Sequence, residues 1–324
     1  MLTYLESSVL IAVVLCSTLH QDLSAASLAK RSETALSYDL ANKLVPTWTG
    51  GALLVVEGEN TAQPQLRAFD NEGRLTTSVV LRVTGATLVT VAGVARGTDA
   101  SIAACGDAVD SEGRGAPYLA IFSANGANLR VIRTTPYHPF KVTVASDGTI
   151  WTMGHESAVR QAGGPKPHPP LRPEAGVIRR FDPTGQEIGS FVLQSNIPSP
   201  SDLLDLGNYL GASAKSVAWY CVPENRYVEI SLDGQMSSDI HVKPTGVAQV
   251  TAFAITDAGG VFISTVTQGP KRWNIERLGR DRQEWATVGG GDGWGILYGA
   301  HGTTLVGSTS GTRRNTLEFF EAVD

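Results

Sequence analysis

The chain has 324 residues, a formal net charge of −5, 42% apolar and 18% charged residues, and a mean hydropathy of −0.02. That balance excludes an intrinsically disordered chain, and it excludes a general nucleic-acid-binding surface, which needs a basic surplus. Its 35 glycines suit a fold with many tight turns, and no linker composition interrupts the stretch from Thr47 to Asp324, so one large domain is expected.

The chain opens with an apolar run from Val9 to Leu19 followed by the small residues Ser24, Ala25 and Ala26, although Met1 to Glu6 carries no positive charge. The run is too short to span a bilayer and ends in residues that suit a signal peptidase. Residues 1–26 are therefore predicted to be a signal peptide. The remaining chain, 27–324, is expected to be exported to the periplasm or outside the cell, and not to be an integral membrane protein.

From Thr47 onward a hairpin recurs, an apolar anchor followed four positions later by Gly: Phe69-Asp-Asn-Glu-Gly73, Phe122-Ser-Ala-Asn-Gly126, Phe181-Asp-Pro-Thr-Gly185 and Ile230-Ser-Leu-Asp-Gly234. Weaker copies stand at Leu278 and Phe320, so the anchors lie 42–59 residues apart. A period of that size carried by strands and turns indicates a β-propeller. Each repeat reads as four antiparallel strands, the second a nearly continuous apolar run such as Gly51 to Val56 or Gly148 to Met153. Such runs fit inner strands covered on both faces. The count gives six blades, approximately 48–83, 86–135, 136–194, 195–242, 243–289 and 290–324. The last stops where its fourth strand should begin, and Glu33 to Leu40 is otherwise unassigned. The expected fold is a six-bladed β-propeller closed by an N-terminal strand, residues 33–40, that completes the last blade, because an open ring would leave strand edges and an apolar blade face in water. Cys105 and Cys221 fall in second strands of non-neighbouring blades and read as buried free thiols.

One blade carries a recognisable signature. Phe140-Lys-Val-Thr-Val-Ala-Ser-Asp-Gly-Thr-Ile-Trp151, with Val177-Ile-Arg-Arg-Phe-Asp-Pro-Thr-Gly185 after it, resembles a blade of the NHL-repeat, gluconolactonase-like and streptogramin-lyase-like propellers. The resemblance implies a binding face where blade-joining loops and second-to-third-strand loops converge around the channel. In gluconolactonase-type relatives it implies hard oxygen ligands for Ca²⁺ at the channel mouth, and in lyase-type relatives a catalytic His.

On that face the loops of the first two blades are predominantly acidic: Glu57, Glu59, Asp107, Asp110 and Glu112 stand against Arg114. Those of the later blades are predominantly basic, with Arg160, Lys166, Arg172, Arg226, Lys271, Arg272, Arg313 and Arg314 against Glu156, Glu174 and Glu224. Such a dipolar rim can steer an anionic protein, peptide or glycan. With Tyr137, His155 and Trp294, the basic residues Arg160, Arg172, Arg226, Lys271, Arg272, Arg313 and Arg314 form the expected ligand-binding face. The leading expectation is an exported binding or scaffold module. The alternative is a metal-dependent lyase or lactone hydrolase with His138, Asp202 and Asp292 as catalytic candidates, the two aspartates also serving as Ca²⁺ ligands. No phosphate loop, nucleophile elbow or paired-cysteine zinc spacing is present.

Overall fold

The computed structural model describes residues 27–38, 40, 46–126, 130–156, 176–194, 207–245, 248–267, 272–279, 281–292, 295–308 and 315–323. Among them are 24 strands and no helix. The expected signal peptide, residues 1–26, lies outside the described residues.

The first strand in sequence, β1 (Ser27–Ala35), stands apart from the runs that follow. Four strands, β2 (Thr47–Thr49), β3 (Ala52–Glu57), β4 (Gln65–Phe69) and β5 (Leu75–Val80), pair in order, as do β6 (Ala86–Arg96), β7 (Ile102–Asp110), β8 (Gly115–Phe122) and β9 (Arg130–Arg133). The next sheets are β10 (Tyr137–Val144), β11 (Ile150–Glu156), β12 (Gly176–Phe181) and β13 (Glu187–Gln194), then β14 (Asn208–Ala212), β15 (Ser216–Cys221), β16 (Arg226–Ser231) and β17 (Met236–His241). After β18 (Ala248–Ile255), β19 (Val261–Thr267), β20 (Arg272–Leu278) and β21 (Trp285–Asp292) come only three strands: β22 (Ile296–His301), β23 (Thr304–Ser308) and β24 (Thr316–Val323). Their outer partner is β1, antiparallel to β24 from Ser27 opposite Val323 to Ala35 opposite Thr316. A parallel bridge between Trp48 and Gly299 joins this run to β2, which makes one eight-stranded sheet of the two ends of the chain.

Local chemistry sets the hairpins. In the turn after β4, the Asp70 carboxylate accepts the backbone N–H groups of Glu72 and Arg74, both at 2.9 Å, while Gly73 takes a φ of 76°. Asp182 accepts those of Thr184 and Gln186 before β13 in the same way. An Asx-type turn closed by a left-handed glycine is the physical content of the recurring anchor motif. The second strands are buried along nearly their whole length, and the apolar cores lie between neighbouring sheets. One core joins β3 and β4 to β7 and β8, and another joins β7 and β8 to β10 and β11. The pattern continues through the β11/β15, β15/β19 and β19/β23 seams. A last core unites Trp48, Leu53 and Phe69 with Val306 and Leu317.

Two expectations are corrected. The N-terminal strand is Ser27–Ala35, not 33–40. Its sequence is polar and mostly exposed, as suits an outermost strand, so it lacks the apolar alternation that marks a half-buried one. The apolar residues that drew attention, Leu36 and Leu40, follow the strand and are 2% and 6% exposed in the core with Trp48 and Phe69. The boundary expected between residues 289 and 290 falls inside β21, where Asp292 pairs with Arg272.

Candidate functional site

The first strands β2, β6, β10, β14, β18 and β22 line a channel, and a cavity of about 380 Å³ opens at the end where these strands begin. Among the described residues Lys141 is the only charged side chain in its lining, set among Val91, Tyr209, Gln249, Phe253 and Tyr298. The channel wall is shaped by recurrent bulges: β6 slips register between Val91 and Gly93, β10 between Pro139 and Lys141, β18 between Val250 and Ala252, and β22 between Leu297 and Gly299. A bulge re-aims the side chains beside it. Three glycines on second strands make room for these bulges. A Cβ on Gly106 would lie 2.0 Å from the Thr90 carbonyl oxygen, one on Gly154 2.2 Å from that of His138, and one on Gly307 2.5 Å from that of Ile296. Sequence reasoning missed this device, although its signal is legible as a Gly ending an apolar second-strand run after Cys105, Met153 and Val306.

Beside this mouth, the β7, β10 and β11 strands bring together three titratable groups. His138 Nδ1 stands 3.0 Å from Asp107 Oδ1, and the His155 ring stacks on His138 at 5.3 Å and 11°. Burial, and then the neighbouring His138, hold His155 below the ordinary histidine range against the opposing pull of Asp107. His155 Nδ1 is buried, with no hydrogen-bond partner among the described residues. Next to the pair, Arg179 bonds Glu156 and Glu187 and lies over the Tyr137 ring at 4.4 Å. The arrangement can orient an imidazole and exchange a proton at the mouth.

Tyr137 is fully buried, its hydroxyl 3.0 Å from Thr152 Oγ1, so it supports the site from beneath. Arg226 is in a bidentate pair with Asp239 at 2.8 and 2.7 Å, and its charge is matched there. Arg272 begins β20, opposite Asp292 at the end of an outermost strand. Asp292 therefore sits on the periphery of its sheet, away from the first strands. Arg160, Arg172, Asp202, Lys271, Trp294, Arg313 and Arg314 lie outside the described residues. The acidic side of the rim is internally paired: Glu57 with Arg67, and Asp110 and Glu112 with Arg114.

Cys105 and Cys221 are both buried, and burial pushes their thiols up to about 12 and about 11. Among the described residues no three His, Cys, Asp or Glu side chains converge as metal ligands, and no helix is long and apolar enough to cross a membrane.

No protein-family model and no curated protein matches the sequence. Solved structures do share the fold. A crystal structure assigned as a gluconolactonase aligns with a TM-score of 0.51 at 13% identity, covering 92% of this chain and 93% of its own. A streptogramin B lyase aligns at 0.46 and 12% identity over 92% and 98% of the two chains, and a chain of a nidogen/laminin complex at 0.43 and 12% over 80% and 85%. The fold is a β-propeller, and the likeness is one of fold alone.

Proposed function

We propose that this chain is an exported six-bladed β-propeller, closed by β1 as the outer strand of the last blade, that works as a binding module. It takes an anionic group of a protein, peptide or glycan partner into the strand-entry end of its channel. The six-bladed reading is supported by the apolar cores, which follow one another from seam to seam and return through Trp48 and Leu317 to the starting sheet. Export is supported by the sequence of the first 26 residues, an apolar run from Val9 to Leu19 followed by Ser24, Ala25 and Ala26, small residues that suit a signal peptidase. N-terminal sequencing of secreted protein should begin at or near Ser27, and an intact Met1 on the secreted chain would remove that support.

The observation that carries the binding reading is the cavity of about 380 Å³ with Lys141 as its charged lining residue. A largely apolar concavity with few polar groups is the usual form of a ligand site, and the positive charge in its wall favours an anionic group over a cationic one. The test is an array of acidic peptides and sulfated or carboxylated glycans, probed with the wild type and Lys141→Met. Binding should fall about tenfold or more in the variant, as expected for a lost charge-assisted contact. Equal binding by both proteins would sink this reading.

One observation favours a second reading, a lactone hydrolase or lyase: the aspartate-oriented imidazole of His138 at the same mouth. Here Asp107 and His138 act as the proton-transfer pair. Of the metal candidates Asp202 lies outside the described residues and Asp292 lies on an outermost strand, so only Ca²⁺ content measured with and without Asp202→Ala bears on a metal. Lactone turnover abolished by His138→Gln, with calcium bound, would favour this reading over the first.

A further inference from the structure

We propose that the opposite end of the channel is a second site, which binds a small carboxylate on Arg96. Where the first strands end, a separate cavity of about 90 Å³ is lined from every sheet, by residues including Thr49, Arg96, Ser146, Ser213, Asp257 and His301. That volume accommodates a few waters or one small anion.

Arg96 is partly buried there, and its charge has no carboxylate partner among the described residues. Nη1 donates to the Gly50 carbonyl, and Nε is buried with no acceptor. Arg67, Arg179, Arg180, Arg226 and Arg282 each stand within 4.0 Å of a carboxylate. The two acidic groups near Arg96 are engaged elsewhere. Asp99 accepts the backbone N–H and hydroxyl of Ser101 at 2.9 and 2.6 Å, while Asp257 accepts the Gly302 N–H at 2.9 Å and faces His301 Nδ1 at 3.7 Å. A guanidinium does not shed its proton, so this is a persistent positive charge against a low-dielectric wall. Burial lowers the proton affinity of Arg96 and the charge of Asp99 only partly opposes it, so an anion in the cavity would add stabilisation that water does not supply.

The turn between β2 and β3 keeps the space open. Gly50 and Gly51 both adopt left-handed φ values, 54° and 73°. A Cβ on Gly50 would fall 2.5 Å from the Arg96 carbonyl oxygen, and one on Gly51 would face the His301 ring at 3.6 Å. A turn without side chains thus lies between Arg96 and His301. One guanidinium and a volume this small suit a monovalent planar carboxylate better than a phosphate dianion, which calls for more cations.

The test is an NMR titration of the full chain with sodium acetate to about 100 mM, with sodium chloride holding ionic strength constant. Saturable movement of the Gly50 and Gly51 amide resonances and of the Arg96 Nε–H resonance, with a millimolar midpoint, is the expected result. Arg96→Lys should weaken the response about tenfold, because a point charge replaces the planar fork. Should that variant fail to fold, the wild-type resonances decide alone. Resonances that stay still, that follow chloride equally, or that move with inorganic phosphate and not with acetate would overturn the proposal.

Discussion

Asp107 and His138 meet across the seam between two neighbouring sheets, Oδ1 to Nδ1 at 3.0 Å, 31 residues apart in sequence. His155 stacks on the His138 ring, so two imidazoles and one carboxylate share a small volume at the channel mouth.

The half-buried His155 of that group makes stability depend on pH. Folding depresses the proton affinity of His155, chiefly by burial, so the native state favours the neutral ring. Below the pKa of the unfolded ring, about 6.5, the unfolded chain binds the extra proton more readily and stability declines as pH falls. The urea midpoint should therefore drop between pH 7 and pH 5, and His155→Gln should show a shallower drop. Identical slopes in the two proteins would remove His155 as a cause.

The two thiols give a second test. Their raised proton affinity and full burial leave almost no thiolate at pH 8. Peptide mapping after iodoacetamide treatment should find Cys105 and Cys221 unlabelled in native protein and both labelled in urea. Native labelling of Cys105 faster than the rate of global unfolding would contradict its packing in the β7/β10 core.

Much of the fold was legible because its signals are local. The Asp70 and Asp182 turns are closed by backbone groups within four residues, and the apolar second strands declare themselves by composition. The ends of β1 were not legible, because an outermost strand that faces water on most of its length reads as a polar linker. The site was less visible still. Asp107 appeared as one loop charge among several, and its pairing with His138 depends on the β10 bulge and on how adjacent sheets pack. Lys141 and Arg96 acquire meaning only from which way a first strand turns its side chains, into the channel or into a seam.

That dependence on the bulge yields a third prediction. Gly154 lies against the His138 carbonyl and the Pro139 Cα, where a Cβ would intrude at 2.2 and 2.8 Å on backbone that has no rotamer with which to yield. Gly154→Ala should cost about 1–3 kcal/mol in chemical denaturation, the range for overpacking, and should shift the His138 and His155 ring resonances. A variant as stable as the wild type with unmoved rings would show that the bulge does not position the pair.

The last prediction concerns the join between the two ends of the chain. β1 pairs with β24 through eight of its nine residues, and Lys30 forms an ion pair at 2.6 Å with the nearly buried Glu318. Leu28 packs into the core between the β19 and β23 sheets, against Gly289, where a Cβ would lie 2.9 Å from its side chain. A chain starting at Leu36 loses these contacts and bares the edge of β24, including the carbonyls and N–H groups that β1 satisfied. It also takes the Lys30 ammonium away from Glu318, whose side chain is only 6% exposed. The expected outcome is a fall in Tm of more than about 10 °C together with association through the open edge, since several kcal/mol are lost at once. Leu36→Ala separates the strand from the apolar plug that follows it: Leu36 is 2% exposed among Trp48, Phe69 and Leu317, and truncating it should cost about 2–5 kcal/mol without opening the edge. Calorimetry with light scattering distinguishes the two, because only loss of the strand should produce oligomers. A truncated chain that melts like the full protein and stays monomeric would show that β1 is an accessory to the sheet and not its closing strand.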